Sequence, residues 1–342
     1  MTGDYLWDRT GWPDPELVRL ERVMSTLQYQ PAAGTRSDVG HARPEQTRAS
    51  ILMLAGTAAA VLALVLVSWQ QARVPRPALG VTRLAGTPTI ASRPMGDQAQ
   101  LGVGRYLETD AAARASVDVA SVGRVEVSPE TRLGLLSTRP GNYRLDLARG
   151  TVEAFIWAPP GQFSMKTPSS TAVDLGCLYT MTVDDDGVGL VRVKMGWVGF
   201  EWRGRESFIP EGAACVTRPR LGPGTPHYED TSAAFRTALE TIDLRRGSTL
   251  ERQAAVTLVL AEARPRDVLT LWHLLTRVDP DQRDRVFDRL AGLVPPPSNV
   301  TRDGVKSGDR EMLDAWWDKL DLRTASWWRI WKQQWRDNAG GR

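Results

Sequence analysis

The sequence predicts a chain of mixed class, anchored in a membrane. An all-β domain of sandwich- or solenoid-like type is followed by an α-helical C-terminal domain. Three observations carry this. Nineteen uncharged, mostly apolar residues run from 51 to 69 in a chain that is 24% charged overall. Short runs of alternating apolar and polar residues, separated by turn residues, fill the region from about 84 to 217. From Tyr228 onward the apolar spacing changes to that of helices.

The stretch 51–69, ILMLAGTAAAVLALVLVSW, is long enough to span a membrane. At a rise of about 1.5 Å per residue it covers roughly 28 Å, close to the ~30 Å hydrocarbon core. It is apolar on all sides, whereas a soluble surface helix is amphipathic. Trp69 stands at one end, where an indole favours the interface. About fifty residues precede it, several of them acidic, and no A-x-A site follows, so a retained span is expected rather than a cleaved signal. Charge does not orient it. Arg36, Arg43 and Arg48 on one side balance Arg73, Arg76 and Arg83 on the other.

Residues 1–29 contain one helical pattern. Asp14 is placed to cap it and Pro15 to occupy its first turn, and Leu17, Leu20, Met24 and Leu27 share a face. This segment is too short to bury a core of its own, and reads either as a loosely structured tail or as a partner-binding helix. Residues 30–50 form a polar linker and 70–83 a second linker stiffened by proline.

In the β region the runs ASVDV, RVEV, YRLDL, TVEAFIW, LYTMTV, GLVRVKM and SFI each present one face inward. DDDG at 184–187 reads as a hairpin turn with Gly187 in the left-handed position, and its aspartates lack the spacing of a calcium loop. In the helical domain, 228–338, STLE at 248–251 is a capping box. Pro265 opens a second helix, and Asp279 and Pro280 cap and begin a third that stops at 295–297. Near the end, Trp327, Trp331 and Trp335 fall on one helical stripe with Trp328 beside it and Arg329, Lys332 and Arg336 interleaved. Such a segment either packs its tryptophans on the preceding helices or lies on a membrane surface.

No catalytic constellation is legible. There is no G-x-S-x-G, H-E-x-x-H or phosphate-binding glycine loop, and Gly102 and Gly104 give only a fragment of a dinucleotide motif. His41, His227 and His273 are scattered, and neither Cys177 nor Cys215 sits in a C-x-x-C pair, so no metal or cofactor is expected. His273 lies among leucines and reads as a core histidine. The net charge is +3, with 43 basic and 40 acidic residues interspersed, which gives no footprint for direct contact with nucleic acid. Cys177 and Cys215 lie on the same side of the span. On an oxidising side they have only each other to pair with, and such a disulfide would stabilise the fold by roughly 4 kcal/mol. Otherwise they are two buried free thiols.

The β region resembles the FecR-type domain family. Thr109 and Asp110 fit the family's entry motif, and Val125, Val127, Pro129 and Thr131 fit the strand that follows. Gly150 lies at the expected turn of YRLDLARGTVEAFI. Thr167, Pro168 and Gly176 match the next segment, where Cys177 replaces the usual threonine and Tyr179 the usual aromatic. The resemblance implies a single-pass protein of the bacterial inner membrane, N-terminus cytoplasmic and C-terminal domains periplasmic. That orientation favours the Cys177–Cys215 disulfide. It also implies a signalling regulator of anti-sigma-factor type, acting in transcription regulation; the lack of any catalytic constellation makes an enzyme unexpected. A sigma factor would be held at the N-terminal segment, with Leu17, Leu20, Met24 and Leu27 as the cytosolic contact. A periplasmic or outer-membrane protein would meet the β domain. Neither the tryptophan-rich cytosolic domain nor the His/Cys zinc motif of related regulators is present, and the helical domain lies outside the family pattern. The alternative is a cell-envelope scaffold or binding module for which the span is only an anchor.

Overall fold

A computed structural model describes residues 77–322 apart from Gly204. The span at 51–69, the helix of Leu17, Leu20, Met24 and Leu27, and the tryptophans from 327 to 335 lie outside the described residues. Among the described residues no helix is long and apolar enough to cross a membrane.

Alternating sequence becomes strand throughout the first half. The strands are β1 Ala78–Ala85, β2 Thr89–Ile90, β3 Arg93–Pro94, β4 Gln98–Gly102, β5 Tyr106–Glu108, β6 Arg114–Val119, β7 Gly123–Val127 and β8 Arg132–Arg139. They continue with β9 Asn142–Ile156, β10 Phe163–Lys166, β11 Thr171–Val183, β12 Gly189–Trp202, β13 Arg205–Pro210, β14 Ala213–Arg218, β15 Gly222–Pro223 and β16 His227–Tyr228. All sixteen belong to one hydrogen-bonded sheet. It is mixed, because β9 and β10 run parallel while the other pairs are antiparallel. β1 extends over residues that composition assigned to a linker, and Leu79 and Val81 are buried there.

YRLDL and TVEAFIW, two runs in the sequence, are one bent strand. The first part of β9 pairs with β8 and β10, and the second with β7 and β11. Gly150 sits at the change of partners with φ +93°, and a Cβ there would lie 2.4 Å from Thr131 Cα. Only glycine meets both demands. β12 changes partners in the same way, from β14 to β13. The turn at 184–187 forms as the sequence predicts. Gly187 has φ +77°, and Asp184 accepts from the backbone of Val188 through Oδ1 at 2.8 Å.

The helices are α1 Ala233–Leu244, α2 Thr249–Glu262, α3 Val268–Leu274, α4 Arg283–Leu293, α5 Arg302–Ser307 and α6 Arg310–Lys319. The capping box of α2 is present in both directions between Ser248 and Glu251. Pro265 opens a short 3-10 turn that leads into α3. Asp279 does not cap the helix that follows it. Its carboxylate instead accepts from Arg252 Nε at 3.0 Å, a charged partner that competes with the backbone amides.

The helices are not an independent body. Their buried side chains and those of the sheet form one continuous core. Phe208 on β13 packs against Trp272 of α3 and Trp317 of α6, with centroids 6.1 and 5.0 Å apart, and Trp197 on β12 meets Trp317 at 6.2 Å. Trp272 donates to Leu313 O at 2.9 Å and Trp316 to Val294 O at 3.1 Å, so both buried indoles keep a hydrogen-bond partner.

Candidate functional site

The two cysteines are free and buried, which corrects the expected Cys177–Cys215 disulfide. Cys177 on β11 faces Gly196 of β12, and Cys215 on β14 faces Val191 of the same strand. β12 therefore lies between them. The separation is about 10 Å across the sheet and roughly 16 Å along it, far beyond the ~7 Å limit for a bridge. The sequence reading missed this because strand order, unlike strand identity, leaves no trace in the alternation.

Cys177 has a different partner. Its Sγ donates to Asp174 Oδ2 at 2.7 Å, and the Gly176 amide donates to Oδ1 at 2.7 Å. Asp174 is almost wholly buried beside Tyr179. Burial pushes its carboxyl up to about 7, against the hydrogen bonds from Cys177 and the Gly176 amide, which favour the carboxylate. Burial and the neighbouring Asp174 push the Cys177 thiol well above its ordinary value. Burial also holds the Cys215 thiol up at about 12. Neither cysteine is poised as a thiolate nucleophile.

The motif residues of the β domain turn out to be corners. Thr109 Oγ1 donates to Ser128 O at 2.7 Å and accepts from the Thr131 amide at 2.9 Å. Thr131 Oγ1 accepts from the Thr151 amide at 2.9 Å, and Asp110 Oδ1 accepts from the amides of Ala112 and Ala113. Thr167 and Ser169 close a second corner, with Ser169 Oγ 2.6 Å from Thr217 Oγ1. These side chains satisfy backbone groups where strands change direction.

The seam between sheet and helices holds a cavity of about 570 Å³. Leu190, Val216, Pro223 and Leu239 supply apolar lining, and Arg192, Arg218, Arg236 and His227 polar lining. Arg192 pairs with Glu229 at 3.3 Å and Arg218 pairs with Glu240. Both pairs are partly exposed and contribute little to stability, so they open readily. Arg236 donates to Thr231 O at 2.5 Å. Burial lowers the His227 pKa, so its imidazole is neutral at pH 7.

A largely buried polar network joins the two halves, and its Arg205, Thr225 and Asp243 also line the cavity. Asp243 of α1 accepts from Arg205 Nη2 at 2.6 Å, from the Thr225 amide at 2.6 Å and from Thr225 Oγ1 at 2.8 Å. Arg277, just past α3, donates to Thr225 Oγ1 at 3.1 Å and to Ser207 Oγ at 2.8 Å. Burial, with Arg205 nearby, lowers the Arg277 pKa to about 10, still charged at neutral pH. His273 is the core histidine its leucine neighbours suggest. Its Nε2 accepts from the Phe208 amide at 3.1 Å while Nδ1 lies 2.8 Å from Leu269 O, which defines a neutral ring. Burial, and then Arg277, holds its pKa well below the ordinary value. In sequence, Arg277 and Asp243 look like surface charges, and nothing in their local pattern marks them as partners 4.0 Å apart, Arg277 buried and Asp243 half-buried. Among the described residues, no group of three or more His, Cys, Asp or Glu side chains is placed to hold a metal.

No protein-family model matches the chain, and no curated protein matches it. Two solved structures of a candidate anti-sigma factor from Parabacteroides distasonis ATCC 8503, at 1.65 and 2.50 Å resolution, are similar to it. Each has 13% identity and a TM-score of 0.32 and covers 40% of this chain. This chain spans 64% of the length of each. At that TM-score the likeness does not define a shared fold.

Proposed function

We propose that the chain is a single-pass signalling regulator of anti-sigma-factor type, which acts by binding rather than by catalysis. Residues 51–69 would cross the bacterial inner membrane with the N-terminus in the cytoplasm, and the β domain would sense a periplasmic or outer-membrane protein. A sigma factor would be held by Leu17, Leu20, Met24 and Leu27. The order of segments in the sequence and the FecR-like motifs support this reading.

The structural observation that carries it is the seam. The walls of the cavity come from both the sheet and α1, and the Arg277–Asp243–Arg205 network, part of which lines it, ties the same elements together. A partner that engages the seam therefore contacts both halves at once. The scaffold reading differs in one respect: its N-terminal segment has no partner.

Affinity capture of the full chain from its native cells separates the two. Recovery of a sigma factor with the wild type, lost on Leu20→Glu and Met24→Glu, is expected. No sigma factor on either sample, with unchanged transcription on deleting residues 1–48, would replace the regulator with the scaffold. A cytosolic reporter signal from a C-terminal fusion would overturn the orientation.

A further inference from the structure

The seam cavity has the construction of a small-molecule pocket. Its floor is two rows across the sheet. Leu190 on β12 pairs with Val216 on β14. Arg192 on β12 pairs with Ala214 on β14, which pairs in turn with His227 on β16. Directly opposed residues share a face of the sheet, and all five of these line the cavity. Its other wall is one face of α1, where Ala233, Arg236, Thr237, Glu240 and Leu244 follow at helical spacing. Alanines at 214 and 233 keep the space between the two layers open. At about 570 Å³ it lies within the range of small-molecule sites.

The charges of the lining do not cancel. Glu229 pairs with Arg192, Glu240 with Arg218 and Asp243 with Arg205. Asp243 is also shared with Arg277 at 4.0 Å. Arg236 is a further arginine of the lining, and among the described residues its guanidinium bonds a backbone carbonyl, Thr231 O, and no carboxylate. It is exposed, as is Arg192, so both stand on the solvent side of the cavity. Burial lowers the His227 pKa, and the charges of Arg236 and Arg192 lower it further, which places both guanidiniums near the same buried ring.

We propose that the seam cavity binds a small amphipathic carboxylate, its anionic head on Arg236 and its apolar body between Leu190, Val216 and Leu239. A guanidinium offers a carboxylate two parallel N–H···O bonds, which neither an alcohol nor an amide can match. The three apolar side chains withdraw the body of the ligand from water. Arg192 adds a second cation when its partly exposed pair with Glu229 opens. The assignment does not rest on what the N-terminal segment holds, so it stands or falls apart from the sigma-factor reading.

Calorimetric titration of the full chain in lipid nanodiscs, with empty nanodiscs as the blank, tests this. Naphthoate is the probe and its neutral amide the isosteric comparison. Saturable binding of naphthoate at one site per chain is expected, with the amide at least about tenfold weaker. Arg236→Gln should weaken naphthoate by about tenfold and leave the amide unchanged. Arg246→Gln, which removes an exposed charge outside the cavity, should change neither. Ala214→Phe places a ring in the cavity and should abolish binding of both probes. Arg236 is exposed, so the Arg236→Gln result decides the matter even if Ala214→Phe does not fold. No saturable binding of naphthoate up to about 5 mM would overturn the proposal. So would an amide that binds equally well, or naphthoate binding that Arg236→Gln or a folded Ala214→Phe leaves intact.

Discussion

Asp174 gives this protein a pH dependence whose sign is opposite to that of an ion-paired carboxylate. Its folded pKa of about 7 stands above the ordinary 3.8 because burial disfavours the charge. Between these values the native state binds more protons at this site than the unfolded chain does, so its contribution to stability falls as pH rises from about 4 to 7. One pH unit corresponds to 1.36 kcal/mol, and the full interval amounts to about 4 kcal/mol. Asp174→Asn mimics the protonated form and keeps an acceptor for the Gly176 amide. It loses the contact of one oxygen with the Cys177 thiol, which costs about 1 kcal/mol. Urea unfolding of residues 75–342, which form one compact unit, should show the variant equal to or slightly less stable than wild type at pH 4. At pH 8 it should be more stable by about 2–4 kcal/mol. The difference between the two proteins isolates Asp174 from the buried histidines, which lose stability as pH falls. A difference that is constant across pH, or a variant less stable at pH 8, would refute burial as the cause.

Other outcomes follow from the same contacts. Arg277→Ala removes the buried guanidinium from Thr225 Oγ1 and Ser207 Oγ, while Asp243 keeps Arg205, and should cost about 1–3 kcal/mol in urea unfolding. Gly196→Ala puts a Cβ 2.0 Å from Gly176 O at φ +78°, and should lower the melting temperature by several degrees or prevent folding. Ellman titration of denatured, unreduced protein should find two thiols per chain; finding none would restore the disulfide.

Local physics was legible in the sequence and came through the fold intact. Serine at 248 with glutamate three residues on makes a cap wherever it is placed, and Gly187 after three aspartates turns a hairpin, because both depend only on backbone groups within a few residues. His273 among leucines was legible as core for the same reason, though its partner on Phe208 was not. Asp279 shows the limit of such reasoning: a long-range arginine outcompeted the local cap.

Among the described residues the sequence by itself determined strand or helix for most segments, β1 within the expected linker apart, since the period of apolar residues is a property of the chain. It determined the strands of the β region, the helices that follow and the turn chemistry between them. The tertiary structure alone decided which strands are neighbours, and with that the fate of Cys177 and Cys215 on either side of β12. It also decided that buried Arg277 meets half-buried Asp243 at a seam cavity that Asp243 helps to line, and that Phe155, Leu178 and Met195 fall in register across three strands. The reason is geometric. Alternation says which way a side chain points, but contacts between residues dozens of positions apart depend on the order of strands in the sheet and on the face the helices cover.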